Sequence, residues 1–147
     1  MEIERKYLPA ALPADYEACP NTLIEQAYLC TEPVVRVRRD GSHYYMTYKG
    51  GGMLAREEYN LPLTEQAYLH LRSKADGCLI SKRRYRIPLS GGLTAELDIF
   101  LETLCGLQLI EVEFPSREAA DAFIPPEWFS EDVTGDCHYS NSYLSRS

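Results

Sequence analysis

Polar and apolar residues alternate along most of this chain, and a period of two predicts strands rather than helices. If residues 1–6 are extended, Glu2, Glu4 and Lys6 share one face while Ile3 and Arg5 take the other. Further strand-like runs cover residues 22–30, 34–39, 43–49, 53–61, 78–89, 93–101 and 106–114, giving eight candidate strands. Asp40-Gly41 between two runs is a hairpin signal, and Gly50-Gly51-Gly52 and Ser90-Gly91-Gly92 mark further turns, so the meander is antiparallel.

Helical spacing is confined to short pieces. Over residues 64–75, Thr64 offers a cap, Glu65 suits the positive end of the helix dipole, and Ala67, Leu71 and Ala75 recur at fourfold spacing beside Tyr68. Ser116 opens a second helix to about residue 123, stopped by Pro125-Pro126, and a last short one is expected over 138–144. Pro9, Pro13 and Pro20 break up a linker with one helical turn at 15–18.

Nearly every run places ionisable residues two apart. Arg36 and Arg38 share a face opposite Val35 and Val37, and Lys49 follows Tyr45 and Thr47. Arg56, Glu58 and Asn60 go together, as do Lys82, Arg84 and Arg86. Glu96 and Asp98 oppose Ala95, Leu97 and Ile99, and Glu111 and Glu113 oppose Ile110, Val112 and Phe114. An open sheet with one wet face shows some of this. Such faces usually mix Thr, Ser, Gln and Lys, however, and two like charges side by side call for a counter-ion between them. A shared ionic interior explains the pattern better. Eight strands suffice for a barrel around one small ligand, with a polar lumen and apolar faces packed outward against the helices.

Composition narrows the class. The chain has 147 residues, 45% of them hydrophobic and 25% charged, which fits one domain over 1–147. Lys plus Arg total 15 against 22 Asp plus Glu, for a net charge of -7. That argues against broad binding to nucleic acid or an anionic membrane. The five cysteines are odd in number and widely spaced, so reduced thiols in a cytoplasmic protein are expected. No secretory or membrane-spanning run is found. The sequence leaves the oligomeric state open, a homodimer included.

The motifs, in order, resemble the CYTH domain of the triphosphate tunnel metalloenzymes. Glu2-x-Glu4-x-Lys6 is the signature, followed by Gln26-x-Tyr28-Leu29, Arg36-x-Arg38, Lys49-Gly50, Arg56-x-Glu58, Lys82-x-Arg84-Tyr85, Glu96-x-Asp98 and Gly106-Leu107 leading to Glu111-x-Glu113. One such motif is weak; eight in register over the whole chain are specific. The resemblance implies an α+β, β-dominated fold: an eight-stranded antiparallel closed β-barrel, the triphosphate tunnel, with a few flanking helices. It also implies metal-dependent hydrolysis of a linear triphosphate with Mg2+ or Mn2+.

By that likeness Lys6, Arg36, Arg38, Lys49, Arg56, Lys82 and Arg84 grip phosphate oxygens. The acidic set is Glu2, Glu4, Glu58, Glu96, Asp98, Glu111 and Glu113, with Glu2, Glu4, Glu111 and Glu113 foremost as metal ligands or holders of its water shell. Lys82 with Tyr28 resembles a general-base pair, because a lysine crowded by cations can lose its proton more easily. Asn60 stands where many members carry a glutamate, and residues 100–103 lack a frequent glycine. The terminal residues 134–144 resemble a helix that closes one tunnel mouth.

Inorganic triphosphate is the favoured substrate, since no aromatic platform for a base or thiazole is evident. Adenylyl cyclase and thiamine or nucleoside triphosphatase activity are the alternatives on the same fold, and a non-catalytic polyphosphate-binding sensor is the alternative of a different class.

Overall fold

In the computed structural model, which describes residues 1–52 and 54–145, the alternating runs become strands. They are β1 (Glu2–Pro9), β2 (Asn21–Thr31), β3 (Val34–Asp40), β4 (His43–Lys49), β5 (Ala55–Arg56), β6 (Glu58–Pro62), β7 (Asp76–Pro88), β8 (Thr94–Leu101), β9 (Gln108–Glu113) and β10 (Phe129–Asp132). The helices are α1 (Glu65–Arg72), α2 (Arg117–Ala122) and α3 (Asn141–Leu144). Among the described residues, no helix is long and apolar enough to cross a membrane.

The sheet runs β10-β1-β9-β8-β7-β2-β3-β4-β6, every pair antiparallel, and β5 pairs with β1. The result is a nearly closed barrel with one unsealed seam. Its closure differs from the expected eight strands in one way. The fifth run divides at Glu57, so that Arg56 lies opposite Glu2 on β1 while Glu58 lies opposite Lys49 on β4. One stretch of chain thus reaches both sides of the seam, each half paired with a different neighbour. The expected start of that run, Met53, lies outside the described residues. β10 was not expected; it is four residues long, only Phe129 is buried, and it adds to the far end of β1 opposite Tyr7 and Pro9.

The turns follow their chemistry. Gly41 takes φ +61 between β3 and β4, where only glycine is free of strain. At Gly52, φ is +123 and a Cβ would collide with the Ala55 carbonyl oxygen, so the approach to β5 depends on the missing side chain. Thr64 and Ser116 cap α1 and α2, accepting from Ala67 N at 3.0 Å and Ala119 N at 3.1 Å.

Apolar faces point outward, as a polar lumen demands. Leu97, Ile110, Val112 and Phe114 pack with Tyr7, Phe129 and Ala120 of α2. On the other side Ala27 and Val37 pack under Tyr68 of α1. A third cluster was not foreseen: Tyr28, Val34, Ile80, Phe100 and Leu109 join Val133 and Leu144 of α3. Ile80, Phe100 and Leu109 lie on the same strand faces as Lys82, Asp98 and Glu111, two residues further along. The inner faces therefore turn from charged to apolar toward the end covered by the C-terminal segment.

Candidate functional site

A cavity of about 660 Å3 lies at the centre of the barrel. Glu2, Glu4 and Lys6 reach it from β1, Arg36 and Arg38 from β3, Lys49 from β4, and Arg56 and Glu58 from the two sides of the seam. Arg84, Glu96, Glu111 and Glu113 complete the charged wall from β7, β8 and β9. Tyr28 lines it as well. Strand periodicity explains the convergence, since each of these residues occupies the inward parity of its own strand.

Two expected members stand behind this wall rather than on it. Lys82 and Asp98 are both 0% exposed, with Lys82 Nζ 2.7 Å from Asp98 Oδ2. Asp98 also accepts a bidentate pair from Arg84, Nε at 2.8 Å and Nη2 at 2.9 Å. Burial alone would raise the Asp98 carboxyl, but Arg84 and Lys82 hold it below its usual value. Burial lowers Lys82 to about 8, against the pull of Asp98 in the opposite direction. The second contact of Lys82 Nζ is Asn141 Oδ1 at 3.4 Å, not the Tyr28 hydroxyl expected from the sequence. Tyr28 instead faces Arg36.

The carboxylates divide by their partners. Glu4, Glu96 and Glu111 bring one oxygen each within 4.8 Å of one another. Burial and the nearby Glu111 and Glu2 push Glu4 well above the usual carboxylate range. Glu111 is held well below it because Lys6, Arg84 and Lys82 outweigh its burial. Glu2 is clasped by Lys49, whose Nζ lies 3.1 Å from both its oxygens and 3.4 Å from Glu58 Oε2. Glu113 stands at the rim, its carboxyl raised by partial desolvation and by the neighbouring Glu58 and Glu96. Three hard oxygen donors converging this closely fit a hard divalent cation.

The cations divide too. Arg84 is met by Asp98, Glu96 at 3.3 Å and Glu111 at 3.4 Å. Arg36 and Arg38 are held by neutral acceptors, Thr47 Oγ1 at 3.2 Å and Gln26 Oε1 at 2.7 Å. Burial and Arg38 lower the Arg36 pKa. Lys6 Nζ donates to the Tyr139 carbonyl at 3.0 Å, which ties the C-terminal segment to the wall.

Sequence reasoning gave no role to several of these participants. Gln26, Thr47 and Asn141 carry no charge and so gave no ionic signal, although Gln26 and Thr47 share inward parity with their charged neighbours. His43, Tyr44 and Tyr45 also line the cavity, with Pro62 and Leu63, so an aromatic and apolar flank exists where none was expected.

Comparison with known proteins agrees with this architecture. Residues 1–124 match the CYTH domain family. The chain belongs to that family. An inorganic triphosphatase of Nitrosomonas europaea is 41% identical over 150 residues, covering 99% of this chain and 97% of the relative. An inorganic triphosphatase of Acetivibrio thermocellus is 33% identical over 148 residues, covering 97% of this chain and 92% of its own length. A crystal structure of an inorganic triphosphatase superposes with a TM-score of 0.73 at 38% identity, covering 100% of this chain and 95% of that one.

Proposed function

We propose that this CYTH protein hydrolyses inorganic triphosphate to pyrophosphate and phosphate. The observation that carries the reading is the convergence of Lys6, Arg36, Arg38, Lys49, Arg56 and Arg84 with six carboxylates on one cavity of about 660 Å3. The inorganic triphosphatase relatives, similar over nearly the full length, support it. A linear triphosphate presents oxygens along its whole length, and cations from separate strands meet them without any of the contacts depending on an organic group.

In this reading Glu4, Glu96 and Glu111 hold Mg2+ or Mn2+, with Glu2, Glu58 and Glu113 ordering water around it. Bound there, the ion supplies positive charge to the phosphate oxygens and to the attacking water. Arg36 and Arg38 grip the substrate from one wall and Arg84 from the other, its guanidinium held in place by Asp98. Positioning and charge stabilisation are the main needs of phosphoryl transfer, and fixed guanidinium groups supply both. Tyr28, on the cavity wall, orients the water. Lys82, sealed from the cavity and paired with Asp98, is a positioning residue in this reading, holding Asp98 and through it the Arg84 guanidinium. The five free thiols suit a cytoplasmic setting.

A second reading has one observation in its favour. Tyr44 and Tyr45 flank the cavity with Pro62 and Leu63, which gives a base or thiazole an apolar surface. Phosphate release from inorganic triphosphate, ATP and thiamine triphosphate, each with magnesium or manganese, tests both. The first reading expects inorganic triphosphate to be turned over fastest.

A further inference from the structure

We propose that Gln26 is a positioning residue that fixes the Arg38 guanidinium without neutralising it, and so sets the affinity of the cavity for triphosphate. This rests on the reading of Arg38 as a phosphate contact.

Gln26 is 0% exposed and lies opposite Arg38 on β3 and Ile80 on β7. Its Oε1 accepts from Arg38 Nε at 2.7 Å, while its Nε2 has no partner. A buried amide with an unmet donor costs stability, and methionine would fill a similar volume without that cost. The hydrogen bond to Arg38 is what the amide offers in return. It occupies Nε, which leaves the two terminal nitrogens for a bidentate grip on a phosphate.

The neutrality of the acceptor matters as much as its position. Lys49, Lys82 and Arg84 each face carboxylates at ion-pair distance. Among the described residues, no carboxylate lies that close to Arg38. Glutamate differs from glutamine by one atom, and would bind the same guanidinium more strongly through a charge-assisted bond. Such a bond would order Arg38 equally well but cancel the charge that attracts the anion. A purely structural role predicts the same loss from Gln26→Glu whether or not Arg38 is present; a positioning role that preserves charge makes that loss depend on Arg38.

The test uses the full chain as wild type, Q26E, Q26M, R38A and the Q26E/R38A double variant. Inorganic triphosphate is titrated calorimetrically in EDTA at pH 8, and kcat and KM are measured with magnesium. Q26E is expected to weaken binding and raise KM by about tenfold or more, with a smaller change in kcat and no loss of thermal midpoint. Q26M, which keeps the charge but releases the guanidinium, is expected to lose several-fold. In the R38A background Q26E should add less than about twofold. Wild-type affinity in Q26E, or an equal loss with and without Arg38, overturns the proposal. Wild-type affinity in R38A instead overturns the reading of Arg38 beneath it, and no binding or turnover by the wild type overturns the triphosphatase reading itself.

Discussion

Lys82 and Asp98 form an ion pair of 2.7 Å with neither side chain reaching solvent. Two charges buried this way are tolerated because each satisfies the other and Arg84 takes the remaining acceptor capacity of Asp98. Breaking the pair from one side leaves an uncompensated buried charge. Asp98→Asn is therefore expected to cost about 3–5 kcal/mol in urea unfolding and to loosen Arg84. An unchanged midpoint would show that the pair is dispensable.

The same lysine has a pH signature. Its folded value of about 8 lies below the ordinary 10.5, so the folded state binds its proton less tightly than the unfolded state. Its contribution disfavours folding below about pH 8 and is relieved as pH rises from there toward 10.5. Titration of the metal-free protein, followed on the Lys82 side-chain signal by NMR, should give a midpoint near 8.

Glu4 trades stability for function. Its raised pKa means that its charged form is disfavoured in the fold, so metal-free stability falls as pH rises from the ordinary carboxylate value through the raised one. Glu4→Gln removes that penalty. Its melting temperature in EDTA should exceed the wild type's at pH 8, with a smaller gap at pH 5, while metal-dependent hydrolysis is lost.

Gly77 holds the C-terminal segment down. It takes φ +74, and a Cβ there would collide with the Ser145 carbonyl oxygen, which also accepts from Cys78 N. Gly77→Ala should destabilise by more than about 1 kcal/mol and increase hydrogen exchange across α3, which carries Asn141 to Lys82. Thr64→Ala is the control on the far side of the barrel wall. Losing that cap costs about 1 kcal/mol and should leave kcat and KM unchanged.

Much of this was legible in the sequence, for a physical reason. A strand's period of two is rigid, so inward charges at positions such as 36 and 38 or 111 and 113 reveal which face they share before any partner is known. What the period cannot give is register between strands. The withdrawal of Lys82 and Asp98 behind the wall depends on Arg84 lying opposite Asp98 across β7 and β8. The division of the fifth run at Glu57 depends on which neighbour each half finds. Neutral residues could be placed on their strands but not given a task, because the roles of Gln26 and Thr47 follow from the cations they touch.

The central claim is that one ionic cavity performs metal-dependent hydrolysis. The most direct measurement is phosphate release from inorganic triphosphate by the wild type and by Glu111→Gln, with magnesium or manganese and with EDTA. The account predicts equal amounts of phosphate and pyrophosphate from the wild type only when a divalent metal is present, and a loss of at least about a hundredfold in the variant. Tight binding of triphosphate with no turnover under any metal would contradict it and make the protein a polyphosphate sensor.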